Sequence, residues 1–198
     1  MPKQIEFFFD YVSPYSHVGN AAVKQMVARS GAKLIYRPMF LGGVMQATGN
    51  RPPGTVEAKA KYMGQDLPRC VNRYGLVLKM NPHFPMNTRK LLRATIGLAD
   101  TPDEQTRFID ACFELCWALD DPIDPSDEAQ LAAPLAARGF DIEDVLARAT
   151  DEANTAALRA NTDEAVARGV FGSPTFFVGD AMFFGHDRLD FAEELVAA

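Results

Sequence analysis

Asp10, Ser13, Ser16 and His17 fall within eight positions, directly after the apolar run Phe7-Phe8-Phe9. A hydroxyl at the start of a helix sits among unpaired backbone N–H groups at the positive end of the helix dipole, so an anion beside Ser13 is stabilised without a metal or a lysine. Ser13 as a nucleophile would need a base, and His17, one turn further on, is the nearest candidate; Ser13 as a plain helix cap would need nothing more. The other residues able to do chemistry lie far away in sequence. Ser173-Pro174 opens an apolar run, and Gly185-His186-Asp187-Arg188 follows it, with Asp187 placed to cap a helix or to meet an amino group. Asn50 and Arg51 stand in the loop that ends Pro52-Pro53-Gly54, where an arginine fork suits a carboxylate, and Asn87 follows Pro82-His83-Phe84-Pro85. Lys59, Lys61 and Tyr62 come next after the first loop; exposed cations such as these read singly as solvated surface.

The three cysteines, Cys70, Cys112 and Cys116, make no CxxC pair and no zinc spacing, so no metal site is expected. Cys112 and Cys116 share a helical face with Phe108, Leu115 and Leu119 and read as small buried hydrophobes.

The elements that must position these groups follow from periodicity. A strand at 4–9, a helix from 14 or 16 to 30 and a strand at 32–39 form a β-α-β unit, hence a parallel pair with a right-handed crossover. From 40 to 168 strand patterns all but vanish. After a short segment beginning at Leu41, helices are expected at 56–74, 87–99, 103–119, 126–137 and 142–168, the last with a break near Asp151; Thr101 and Ser126 stand where N-caps belong. Residues 170–178 and 181–185 flank Gly179-Asp180 as a hairpin, and a helix at 187–196 closes the chain. The fold class is α/β with a large helical insertion: residues 1–40 and 169–198 form one domain, and 41–168 the inserted one.

With 47% hydrophobic residues in 198 and a formal charge of −6, the chain has material for a core and no basic stripe, which argues against nucleic acid. No secretory signal or membrane span is visible, so a cytoplasmic location is expected, with no membrane partner.

The β-α-β, helical insert, β-β-α order is similar to a DsbA-like thioredoxin fold. Three blocks sharpen this: Phe9-Asp10-Tyr11-Val12-Ser13-Pro14-Tyr15-Ser16; Asn50-Arg51-Pro52-Pro53 through Lys59, Tyr62 and Asp66-Leu67; and Val170-Phe171-Gly172-Ser173-Pro174-Thr175 with Phe184-Gly185-His186-Asp187-Arg188-Leu189. Together they resemble the 2-hydroxychromene-2-carboxylate isomerases, relatives of the kappa-class glutathione transferases. Redox members of the fold carry Cys-x-x-Cys where this chain reads Ser13-Pro14-Tyr15-Ser16, so the sulfur must come from outside.

The resemblance implies glutathione as that thiol, with Ser13 donating to its thiolate and Ser173, before a cis Pro174, pairing with its cysteinyl unit. It further implies that Phe184, Gly185, His186 and Asp187 meet the γ-glutamyl end, although the family commonly has an amide-bearing residue in place of His186. Asn50, Arg51 and Asn87 would hold a substrate carboxylate, and aromatic residues would line the ring pocket. The implied reaction interconverts 2-hydroxychromene-2-carboxylate and trans-o-hydroxybenzylidenepyruvate, or a close aromatic analogue, by reversible thiolate addition, in a homodimer that serves aromatic-hydrocarbon catabolism. A kappa-like transferase or peroxidase and a non-catalytic DsbA-like binding protein are the alternatives.

Overall fold

The computed structural model describes residues 3–197; positions 1–2 and 198 of the expected domain lie outside the described residues. Strand β1 (Gln4–Phe9) is the second of four in a sheet ordered β2-β1-β3-β4. It pairs in parallel with β2 (Lys33–Pro38), as the crossover through α1 (Pro14–Ser30) requires, and antiparallel with β3 (Thr175–Val178). The hairpin partner of β3 is β4 (Ala181–Phe184), joined through Gly179-Asp180.

A strand buried on both faces must be apolar at consecutive positions, and β1 is so at Phe7-Phe8-Phe9. Ile5, Phe7 and Phe9 face α1 and the helical block, with Phe7 stacked on Phe176 at 4.8 Å; Phe8 faces the other way, edge-on to Phe177 among Met39, Val44 and Val170. Period-two alternation thus assigns odd and even positions to two separate cores.

Between β2 and β3 run α2 (Leu41–Thr48), α3 (Glu57–Tyr74), α4 (Arg89–Ile96), α5 (Pro102–Trp117), α6 (Glu128–Ala136), α7 (Ile142–Thr150) and α8 (Glu152–Ala167). The break expected near Asp151 is there, with Asp151 closing α7 and capping α8 through the Asn154 N–H. Three details differ from expectation: residues 41–48 form a helix, β3 begins at Thr175, and the α6 cap is Asp127, whose carboxylate accepts from the Ala129 N–H, while Ser126 bonds Asp124. Cys112 and Cys116 are buried as expected, in the core that Phe7, Phe9, Leu91, Phe108, Phe113 and Trp117 share. That core unites sheet and helical block. On the opposite side Arg168 ties α8 to Glu6 of β1 at 2.9 Å, and Arg37 of β2 bonds Glu164. The final helix, α9 (Leu189–Ala197), packs on α1. Among the described residues no helix is long and apolar enough to cross a membrane.

Candidate active site

The strand-to-helix turn after β1 is built by Asp10. Its main-chain carbonyl accepts the Ser13 N–H at 3.1 Å. Its carboxylate accepts the Val12 N–H at 3.1 Å, the Leu41 N–H at 2.9 Å and the Thr88 hydroxyl, so one side chain joins the turn to the ends of β2 and α4. Burial pushes its pKa up; the three donors pull the other way without cancelling the effect.

Ser13 is the N-cap of α1, accepting the Ser16 N–H on Oγ at 3.2 Å, and Pro14 occupies the first helical position. Its hydroxyl donates to the Ser173 carbonyl at 3.2 Å. The Ser16 and Ser173 hydroxyls lie 2.5 Å apart, so Ser16 packs and fastens rather than facing solvent. The Ser173–Pro174 bond is cis, and the Pro174 carbonyl accepts the Gly185 N–H at 3.0 Å. Two glycines permit this closeness. A Cβ on Gly19 of α1 would stand 3.0 Å from Pro174 Cβ, and Gly185 has φ +94°, in the left-handed region that favours glycine. Residues 160 positions apart in sequence are thereby brought into one hydrogen-bonded wall.

His186 is buried beside this wall, stacked on Tyr15 with ring centroids 6.0 Å apart and edge-on to Tyr74. Burial lowers its pKa. Asp187 lies inside the single 3-10 turn His186–Arg188 and caps no helix; its exposed carboxylate accepts from Arg188 at 2.8 Å. Phe184 is exposed and packs against Phe171 at 4.5 Å.

The His17 ring is engaged with residues other than Ser13. Its Nε2 bonds the Val77 carbonyl at 3.1 Å, which requires the proton on Nε2, and burial lowers its pKa. It fastens α1 to residues 76–78, and among the described residues no hydrogen bond joins its ring to Ser13.

A cleft of about 710 Å³ opens beside Pro14, lined by Met63, Leu67 and Val71 of α3 and by Leu76, Leu78, Met80 and Phe84. Its walls are mostly aliphatic, with Phe84 as the aromatic contribution. The i, i+4, i+8 stripe Met63-Leu67-Val71 was visible in the sequence; that it faces Pro14 and Phe84 was not. Pro68 in the middle of α3 has no N–H for the Gly64 carbonyl, and both residues line the cleft. Asp66, on the adjacent face, accepts from Tyr15 and Tyr62 at 3.0 Å each. Cys70 stands 3.7 Å from Asp66, and its thiol is pushed up to about 11 by partial burial and then by that carboxylate. Cys112 and Cys116 are raised as well, by full burial.

Of the residues assigned to a substrate carboxylate, Asn50 donates from Nδ2 to the Phe171 carbonyl at 2.6 Å, which brings its loop against the segment before Ser173. Arg51 is exposed beside it. Asn87, also exposed, accepts from Arg89 Nε at 3.0 Å and adjoins Thr88, the residue on Asp10. Thr88 and Asp10 escaped the sequence reading as positioning groups. Asp10 had a signal, a carboxylate ending a strand of three phenylalanines; Thr88 had none.

The DSBA-like thioredoxin domain model matches residues 4–197. A 2-hydroxychromene-2-carboxylate isomerase from Sphingobium xenophagum is 31% identical over 195 residues, 98% of this chain and 97% of that protein. Glutathione S-transferase kappa 1 from Caenorhabditis elegans is 28% identical over 212 residues, 99% of this chain and 92% of that one. The solved structure of a 2-hydroxychromene-2-carboxylate isomerase superposes with a TM-score of 0.85 at 26% identity, covering 96% of this chain and 93% of its own. The chain therefore belongs to the DsbA-like thioredoxin-domain family and, within it, to the 2-hydroxychromene-2-carboxylate isomerases.

Proposed function

We propose that this enzyme is a glutathione-dependent isomerase interconverting 2-hydroxychromene-2-carboxylate and trans-o-hydroxybenzylidenepyruvate, or a close aromatic analogue. The observation that carries the reading is Ser13: a hydroxyl capping a 17-residue helix in the turn where redox relatives place a thiol, beside a cis proline. An isomerisation has no net oxidation, so it has no use for a dithiol, and the three cysteines of this chain all have raised thiol pKa values.

The donor set fits glutathione. Ser13 suits a sulfur, the backbone of Ser173 an extended cysteinyl unit, and the Asp187 carboxylate with Gly185 and His186 an amino-bearing γ-glutamyl end; Pro174 and Phe184 complete that wall. When bound, glutathione supplies a thiolate that adds reversibly to the conjugated carbon, so that the former double bond can rotate. The contribution of Ser13 is measurable. A hydrogen bond to a charged group is worth about 1.5–3 kcal/mol and a helix N-terminus about 0.3–1 kcal/mol more. Together these are worth about 1–3 pKa units, which brings a thiol of ordinary pKa near 8.5 to neutrality or below. Asp10 and Thr88 hold the turn that aims the hydroxyl. The apolar cleft takes the ring and sheds its water, while Asn50, Arg51 and Asn87 meet the carboxylate end.

We further infer a homodimer, a cytoplasmic location and a place in aromatic-hydrocarbon catabolism, with the helical block 41–168 as an inserted domain. A kappa-like transferase is the second reading, favoured by the 28% identity to a kappa-class enzyme. Chromene isomerisation followed by absorbance, run beside conjugation of an aromatic halide, separates them. Isomerisation faster than conjugation is expected; conjugation alone would replace the first reading with the second.

A further inference from the structure

A hydroxyl has one proton to give. Ser13 gives it to the Ser173 carbonyl at 3.2 Å, while its lone pair takes the Ser16 N–H. A sulfur beside Ser13 gains a hydrogen bond only if that carbonyl releases it. Ser173 lies just ahead of β3, outside the ladder with β1, whose pairs run from Glu6↔Phe177 to Phe8↔Thr175. Its backbone groups are therefore the ones an added extended peptide would pair with. The carbonyl is held in place from both sides, by the Ser16–Ser173 hydroxyl pair at 2.5 Å and by the Gly185 N–H on the Pro174 carbonyl at 3.0 Å. The hydroxyl turns about a single bond and is the part free to move.

Resting on the glutathione reading above, we propose that Ser13 acts as a relay: its hydrogen bond passes from the Ser173 carbonyl to the ligand sulfur when the ligand's cysteinyl amide N–H takes over that carbonyl. The amide bond to the carbonyl forms, the serine bond to it breaks, the serine bond to sulfur forms, and the thiol proton leaves to solvent. No covalent bond of the protein changes. The site thereby selects thiols that carry an adjacent amide over simple thiols, because a ligand lacking the N–H would strip the carbonyl of the partly buried Ser173 of its partner.

The test compares glutathione with an ester analogue in which oxygen replaces the cysteinyl N–H, both at saturation, reading ultraviolet thiolate absorbance against pH. The relay predicts a bound glutathione thiol lowered by about one unit or more, a roughly tenfold gain in thiolate-to-thiol ratio, and an ester thiol lowered by less than about half a unit. Equal lowering overturns it. A crystal structure with glutathione decides independently, even if the ester fails to saturate. Ser13 Oγ bonded to sulfur and released from the Ser173 carbonyl supports the relay, and Ser13 still on that carbonyl overturns it. Absence of glutathione binding by calorimetry removes the functional reading itself, and the relay with it.

Discussion

Around Ser13 the polar groups have partners: Asp10 on Thr88 and Leu41, Ser13 on Ser173, Ser16 on the Ser173 hydroxyl, Gly185 on Pro174. Across the cleft, α3 and residues 76–84 offer few polar partners, and Val77, Met80 and Phe84 are exposed. The first wall is assembled from both ends of the chain and fixed by directional bonds. The second comes from the helical block and is mostly apolar on the side that lines the cleft, its polar bonds being those of Asp66 to Tyr15 and of the Val77 carbonyl to His17. Fixed donors suit a group whose charge must be placed within a few tenths of an ångström; an apolar trough suits a flat ring whose orientation matters less. In the proposed enzyme, one wall sets thiolate chemistry and the other sets which substrate receives it.

Substitutions on the two walls should therefore fail differently. The largest effect is expected from Ser13→Ala, a loss of about 10²–10³ in kcat at saturating glutathione, the usual cost of one donor to a reacting anion. Circular dichroism should show the fold retained, and unchanged turnover would remove Ser13 from the chemistry. On the other wall, Met80→Glu puts a charge where the ring should lie. KM for the aromatic acid should rise about 10-fold or more, with the thiol pKa of bound glutathione unchanged; a shift in that pKa would show that the walls are coupled. Gly19→Ala drives a Cβ against Pro174 and should cost about 1–3 kcal/mol in denaturant unfolding, while lowering kcat more than it raises KM for the ring.

The smallest effect concerns the joint between the walls, where His17 holds the Val77 carbonyl. Its pKa is lowered in the fold from an ordinary 6.5, so the unfolded chain binds the proton first. The stability it contributes is present above pH 6.5 and is lost as pH falls through its lowered folded value. Thermal melts should decline below that pH, and His17→Gln should flatten the decline; an identical slope in the variant would exclude His17 as its source. Asp10 has the opposite sign. Its raised pKa means that its contribution is fully present below the ordinary carboxylate value and is lost as pH rises through the folded one.

The polar wall was legible because its signals are local. A run of phenylalanines ending in Asp10, then Ser13-Pro14, announces strand, turn and capped helix, and Gly179-Asp180 announces the hairpin that carries Gly185 and Asp187. The residues 41–48 were not legible as a helix because Gly42 and Gly43 argue against one. A Cβ on Gly42 would meet the Phe40 ring at 2.8 Å, and one on Gly43 would crowd that ring at 3.2 Å and Thr162 of α8 at 3.3 Å, so packing that leaves no periodic trace sets both residues. The cleft resisted for a similar cause. Its residues come from α1, Gly54, α3 and residues 76–84, and only the stripe on α3 leaves a periodic trace. His17 looked like a base from its spacing to Ser13, but the carbonyl it serves lies 60 residues away in sequence. Local patterns disclosed the strand-to-helix turn that holds Ser13; long-range packing decided what stands opposite it.

The measurement that bears most directly on the account is the dependence of isomerisation on added glutathione. The wild-type enzyme should turn over the chromene only when the thiol is present, with a rate that saturates in glutathione. Full turnover in its absence would mean that the chain supplies its own nucleophile and would contradict the assignment of Ser13 as the stabiliser of an external thiolate.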